Sequence, residues 1–238
     1  MLNNLFPKVR PRRLRKNKTI RDLVSETKLF KSKLIQPLFV SDSNSQKIEI
    51  EAMPGQYVHS KETLFKEVDE LLNLGIRTIA LFPNISKNLK DANGTEALNP
   101  ENFLCSLVSQ LKIKFPELVL ITDVALDPYT DSGHDGIIIE GEVDNDETLK
   151  SLESMSLNLA HSGSDIIAPS DMMDGRVGII RKALEAENLK HTIILSYSPK
   201  GPIKIRSILC AIAQYYSVFK VFCFKSFPYD THSPIHHI

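Results

Sequence analysis

The chain has 238 residues, 42% hydrophobic and 24% charged, proportions that exclude a disordered or fibrous protein and fit a globular one. Its 29 basic and 29 acidic side chains balance, so no net field selects nucleic acid or a membrane surface as partner. Three cysteines, Cys105, Cys210 and Cys223, are too few and too scattered for a disulfide framework or a zinc-ligand spacing, and indicate a reducing, cytoplasmic compartment.

Residues 1–20 form a basic arm with Arg10, Arg12, Arg13, Arg15, Lys16 and Lys18, and lack the apolar core of a secretory signal. Such a run is a solvated tail, a nucleic-acid patch or an arm that grips another subunit. A short helix is predicted from Thr19 (TIRDLVSETKLF). Leu34–Val40 then reads as a buried strand, against which Pro37 is a caution. Ser60 caps a helix through about Leu74, with Gly75 as its stop and Leu64, Val68, Leu71 and Leu72 as its apolar stripe. Strands follow at Thr78–Phe82, Val119–Val124, Asp165–Ala168 and Thr192–Leu195, separated by helices at 100–115, 144–161 and 175–187. Near-continuous apolar strands between amphipathic helices predict a parallel sheet covered by helices. No stretch of about 18 apolar residues suggests a membrane span.

Two α/β folds compete, a doubly wound open sheet and a (β/α)₈ barrel. The first strand–helix turn lacks the dinucleotide-binding glycine pattern, and chemically capable residues recur after several different strands. That is how a barrel assembles a site, so the barrel is favoured. About five of its eight βα units are accounted for by residue 200, and 38 residues remain for three more. At about 30 residues per βαβ step they do not fit, so the barrel is expected to be incomplete.

Lys200 lies beyond the fifth strand in Ser-Tyr-Ser-Pro-Lys. A lysine there, kept neutral by burial or a nearby cation, can attack a carbonyl; the alternative is a surface-loop lysine. Ser170, Asp171 and Asp174, past the fourth strand, can position substrate and shuttle protons, or cap the helix that follows. Residues 123–136 gather Asp123, Asp127, Asp131, His134 and Asp135. Hard oxygen ligands suit Mg²⁺ rather than Zn²⁺, and a polar loop turning at Asp-Pro and Asp-Gly is the alternative.

Together these stretches resemble the porphobilinogen synthase (δ-aminolevulinic acid dehydratase) family. The strings are PRRLR (11–15), LIQPLFV (34–40), MPG (53–55), ALFP (80–83), DVALDPYT (123–130), GHDG (133–136), NDET (145–148), APSDMMDGR (168–176) and SYSPK (196–200). The resemblance implies a (β/α)₈ barrel with an arm that embraces a neighbouring subunit, within a homo-octamer. It implies condensation of two 5-aminolevulinate molecules to porphobilinogen, in tetrapyrrole (heme) synthesis. Lys200 matches the first of the family's two active-site lysines, and Asp123, Ser170 and Asp171 match positions lining its site. Ala125, Asp127 and Asp135 stand where zinc-using members carry cysteines, so the chain resembles the zinc-independent, magnesium-responsive branch, with Asp127 and Asp135 as metal candidates.

Departures from the family pattern set a second expectation. Asp131-Ser132 stands where the family has Ser-His. After residue 200 the family's arginine-bearing Tyr-Gly-Pro-Phe-Arg segment is missing, and so is the Val-Lys-Pro-Gly strand with its second lysine. Residues 201–238 also change in composition. No acid occurs between Glu187 and Asp230, seven of 17 aromatics fall between Tyr215 and Tyr229, and His232, His236 and His237 cluster at the end. Such a shift resembles translation in a different reading frame; a divergent tail packed over the barrel is the alternative. The chain is therefore expected to be either a lyase of this family or an inactive remnant, retained at most as an interaction partner.

Overall fold

The computed structural model describes residues 9–42 and 46–197. Lys200 and residues 201–238 lie outside the described residues. In chain order the elements begin with a 3₁₀ turn at Pro11–Arg15 and helix α1 (Lys18–Leu23), followed by strands β1 (Gln36–Ser41), β2 (Ile48–Glu49) and β3 (Tyr57–His59). Helix α2 (Lys61–Leu74), strand β4 (Thr78–Asn84), helices α3 (Thr95–Leu98) and α4 (Phe103–Lys114) and strand β5 (Val119–Val124) come next. A hairpin of β6 (Ile137–Ile139) and β7 (Glu142–Asp144) then precedes α5 (Asn145–His161), β8 (Ile166–Pro169), α6 (Arg176–Ala186) and β9 (Ile193–Ile194).

The main sheet has the order β2-β3-β1-β4-β5-β8-β9. From β1 to β9 every neighbouring pair is parallel, and each crossover advances one place in the same direction. The short β2–β3 pair lies on the other edge of β1, while the five longer-range parallel neighbours β1-β4-β5-β8-β9 run on in a single direction, as successive strands of a barrel do. The two faces differ accordingly. One carries the large core, in which Leu38, Val40, Ile79, Leu81, Leu120 and Ile167 of the strands meet Leu64 and Val68 of α2, Leu104 and Leu111 of α4, Leu152 and Met155 of α5, and Ile180 and Leu184 of α6. The other carries Ala80, Ile121, Ala168 and Leu195, packed with Ile35, Phe82, Ile166 and Tyr197, and no helical residue. Helices on one face and a small strand-only cluster on the other are the outside and inside of a barrel wall.

Local signals explain the helices. Ser60 Oγ accepts from the Thr63 N–H at 3.4 Å, and Gly75 closes α2 in the left-handed region at φ 85°. Between them Leu64, Val68 and Leu71 are buried, each worth about 1.5–3 kcal/mol in apolar burial. Asn102 Oδ1 caps α4 through the Cys105 N–H at 2.9 Å, and Asp144 Oδ1 caps α5 through the Glu147 N–H at 2.9 Å.

Two expectations change, for the helix at Thr19 and for the cap of α6. The helix predicted from Thr19 through Phe30 stops at Leu23, because nothing buries its apolar face. Leu23, Leu29 and Phe30 are exposed, and a short isolated helix is marginal. The outer edge of β1 is partly covered by β3, which pairs at Phe39 and Val40. Pro37 lies before that pairing, where β1 is flanked on one side only, an edge position that tolerates proline. Neither Asp171 nor Asp174 caps α6, whose N-cap is Gly175 at φ 83° with no side-chain cap.

Candidate active site

Strand parity decides which side chains reach the inner face. Ala80, Ile121, Ala168 and Leu195 point inward, so two residues on, at the C-terminal ends, Phe82, Asp123, Ser170 and Tyr197 share that side. β5 and β8 place Asp123 beside Ala168 in register, and the next inward residue, Ser170, donates through Oγ to Asp123 Oδ2 at 3.0 Å. The Ser170 N–H also bonds the Val124 carbonyl at 3.2 Å. Asp123 is buried, and Ser170 is half-buried. The pair is a carboxylate with an oriented hydroxyl, able to hold a polar substrate group and to relay a proton.

Asp171 faces the other way. It is 2% exposed, its Oδ1 accepts the Met173 N–H at 2.8 Å, and its Oδ2 stands 3.5 Å from Arg176 Nε. Arg176 also donates to the Met173 carbonyl at 2.8 Å. Burial pushes the Asp171 carboxyl up from the ordinary carboxylate value; the Met173 N–H and Arg176 oppose the shift, and the Asp135 charge adds to it. Asp171 thus shapes the turn from within, and the structure does not bring it to Ser170's face. The Asp174 carboxylate is exposed, and its backbone is held by Asn145, whose Oδ1 accepts the Asp174 N–H at 2.8 Å while Nδ2 donates to the Asp174 carbonyl at 3.3 Å.

The 125–136 loop leaves β5 and folds back on the β4–α4 connection. Asp91 accepts the Asp131 N–H through its carbonyl at 3.0 Å, and Thr130 Oγ1 donates to the His134 carbonyl at 2.7 Å. Asp127 is exposed and Asp135 half-buried. Asp135 Oδ1 lies 3.1 Å from His134 Nδ1, which also accepts the Gly136 N–H at 3.1 Å. An acceptor Nδ1 carries no proton, so this contact is not an ion pair in that tautomer. Among the described residues no three His, Cys, Asp or Glu side chains gather to hold a metal.

The sequence profile of the delta-aminolevulinic acid dehydratase family matches residues 8–202. The chain belongs to this family. It is 48% identical over 191 residues to a delta-aminolevulinic acid dehydratase of Chlamydia pneumoniae, covering 80% of this chain and 58% of that protein. A Helicobacter pylori relative of the same description is 47% identical over 192 residues, covering 80% and 59%. A Toxoplasma gondii delta-aminolevulinic acid dehydratase, crystallised with its reaction product porphobilinogen, superposes with a TM-score of 0.77 at 45% identity, over 80% of this chain and 54% of its own. The chain spans a little more than half the length of these relatives, and its fold is part of a (β/α)₈ barrel.

Within the dehydratase fold, the described residues unite Asp123 with Ser170, and Asp171 with Arg176. Asp174 lies outside both pairs, Asp127 is at the surface, and Lys200 falls outside the described residues. Sequence reasoning missed Phe82 and Tyr197, both on the inner face. Tyr197 stands in the SYSPK string and Phe82 in ALFP, and period-two parity from Ala80 and Leu195 would have found them. It also missed Arg176 and Asn145, whose roles depend on partners a sequence does not juxtapose. The family depends on a metal ion, zinc or magnesium. No helix among the described residues is long and apolar enough to cross a membrane.

Proposed function

We propose that this site serves porphobilinogen synthesis, the condensation of two 5-aminolevulinate molecules with loss of water. The observation that carries the proposal is the inward Ser170–Asp123 pair at the C-terminal end of the sheet, in a segment 45% identical to a dehydratase crystallised with porphobilinogen. Lys200 supplies the neutral amine that adds to a substrate carbonyl and loses water to form a Schiff base. Asp123 and Ser170 orient the substrate's polar groups and pass the protons this exchange requires, while Asp171 fixes the turn that bears Ser170.

Magnesium rather than zinc is the ion we assign to the chain. Ala125, Asp127 and Asp135 offer no thiolate, and Mg²⁺ keeps most of its waters and needs only one or two carboxylates. The described residues form no three-ligand cage, so Asp127 or Asp135 would hold the ion together with its own waters. A homo-oligomer, an octamer as in the family pattern, is supported by the arm and the segment that follows it, which leave Leu14, Leu23, Val24, Leu29 and Phe30 exposed for a neighbour to cover. The sparse cysteines support a cytoplasmic location.

Borohydride added with 5-aminolevulinate tests the proposal. The expected result is a substrate adduct located by mass spectrometry on Lys200 and abolished by Lys200→Ala. No adduct on any residue would sink it. A second reading, a chain that captures substrate without completing the condensation, is favoured by the departure from the family pattern beyond residue 202, where the profile match stops. Adduct without porphobilinogen in a colorimetric assay is its signature, and steady turnover excludes it.

A further inference from the structure

We infer that Asn145, the first residue of α5, is a positioning residue that anchors the site turn 170–175 from outside. The inference rests on the functional reading above. The turn has no regular structure, so each fixed backbone angle costs conformational entropy that some contact must offset. Its start is fixed to β5 by the Ser170 N–H and Oγ. Its middle is shaped internally by Asp171 and Arg176. Its far end is held across the chain by the reciprocal Asn145–Asp174 bonds, between residues 29 apart in sequence.

A carboxamide suits this place because it offers an acceptor and a donor side by side, matching one residue's N–H and C=O. Nδ2 also reaches Asp146 Oδ1 at 3.1 Å, which sets the amide's orientation. A second tie runs parallel to it. Met173 packs so close to Gly136 that a Cβ there would lie 3.1 Å from its Cε, and Gly136 leads into the β6–β7 hairpin that enters α5. The hairpin–α5 junction is therefore the outer abutment of the turn, and it holds Ser170 and Asp171 at a fixed distance from β5.

Two variants separate positioning from helix stability. Asn145→Ala loses both bonds, yet alanine is the better helix former, so α5 itself is not weakened. Asn145→Asp keeps the acceptor and loses the donor. Hydrogen exchange at the Asp174 amide is expected to speed up about tenfold in the alanine variant, the value of roughly one net hydrogen bond, and by less than about threefold in the aspartate variant. The 5-aminolevulinate concentration giving half-maximal borohydride trapping at Lys200 is expected to rise about tenfold with alanine and less with aspartate. Unchanged exchange in Asn145→Ala overturns the inference, and so does faster exchange with unchanged trapping. A parent chain that is never trapped sinks the functional reading instead, and the exchange comparison then decides the anchor on its own.

Discussion

Gly136→Ala tests how tightly the β6–β7 hairpin is seated against the site turn. An alanine Cβ at 136 would lie 2.7 Å from Val143 Cγ1, 3.1 Å from Met173 Cε and 3.3 Å from Thr148 Oγ1. The methionine tip can swing aside, but valine is branched at Cβ and restricted in χ1, so Val143 is the obstacle that must move. Overpacking of this kind costs about 1–3 kcal/mol. For a domain near 200 residues each kcal/mol lowers the melting midpoint by about 2–4 °C, so a cost in the middle of that range, about 2 kcal/mol, gives a fall of about 4–8 °C. Val143 is 38% exposed, so Val143→Ala alone should cost less than about 1 kcal/mol. It also removes the clashing methyl, so the double variant should recover at least half the loss, a coupling of about 1–2 kcal/mol. The assay is thermal unfolding of the four chains by circular dichroism. An unchanged midpoint in Gly136→Ala, or strictly additive losses in the double variant, would show that Val143 does not seat the hairpin.

Three further outcomes are expected. Asp171→Ala removes the acceptor of the Met173 N–H and strands Arg176, whose Nε is buried; it should cost about 2–4 kcal/mol in urea unfolding. Asp171→Asn keeps an acceptor and escapes the carboxylate's desolvation, so a loss as large as alanine's would contradict this assignment. His59 is buried on β3 beside Val40, and burial lowers its pKa below 6.5. The unfolded chain therefore takes up the proton first as pH falls; the stability His59 lends is complete above about 6.5 and is lost as pH drops through its lower folded value. His59→Gln should flatten the parent's loss of melting temperature between about pH 7.5 and 5.5, and parallel profiles would refute the link. For the metal, Mg²⁺ should raise the melting midpoint more than Zn²⁺ and lose that effect in Asp127→Ala; stoichiometric tight zinc would reverse the assignment.

What was legible in the sequence was whatever depends on near neighbours. Ser60 and Gly75 bracket α2 where their chemistry places them, and Val119–Val124 forms the predicted strand residue for residue. The barrel was inferred from polar residues recurring after different strands; the structure grounds the same fold in the one-directional run β1-β4-β5-β8-β9 and one-sided helices. Illegible were features whose cause lies far along the chain. β3 exists because β1 offers it an edge at Phe39 and Val40. The β6–β7 hairpin carries little signal in sequence: its strands are three residues each, and its turn places Glu140 and Gly141 at φ 53° and 85° without an Asn-Gly pair. The same limit governs the site. Asp123 and Ser170 sit 47 residues apart, and only the parallel register of β5 with β8 joins them; once that register is known, parity alone sends Ser170 inward and its neighbour Asp171 outward. Sequence chemistry named both residues as candidates of one kind, and the one-residue alternation of a strand end gives them opposite tasks, one toward the substrate side and one into the wall that holds it.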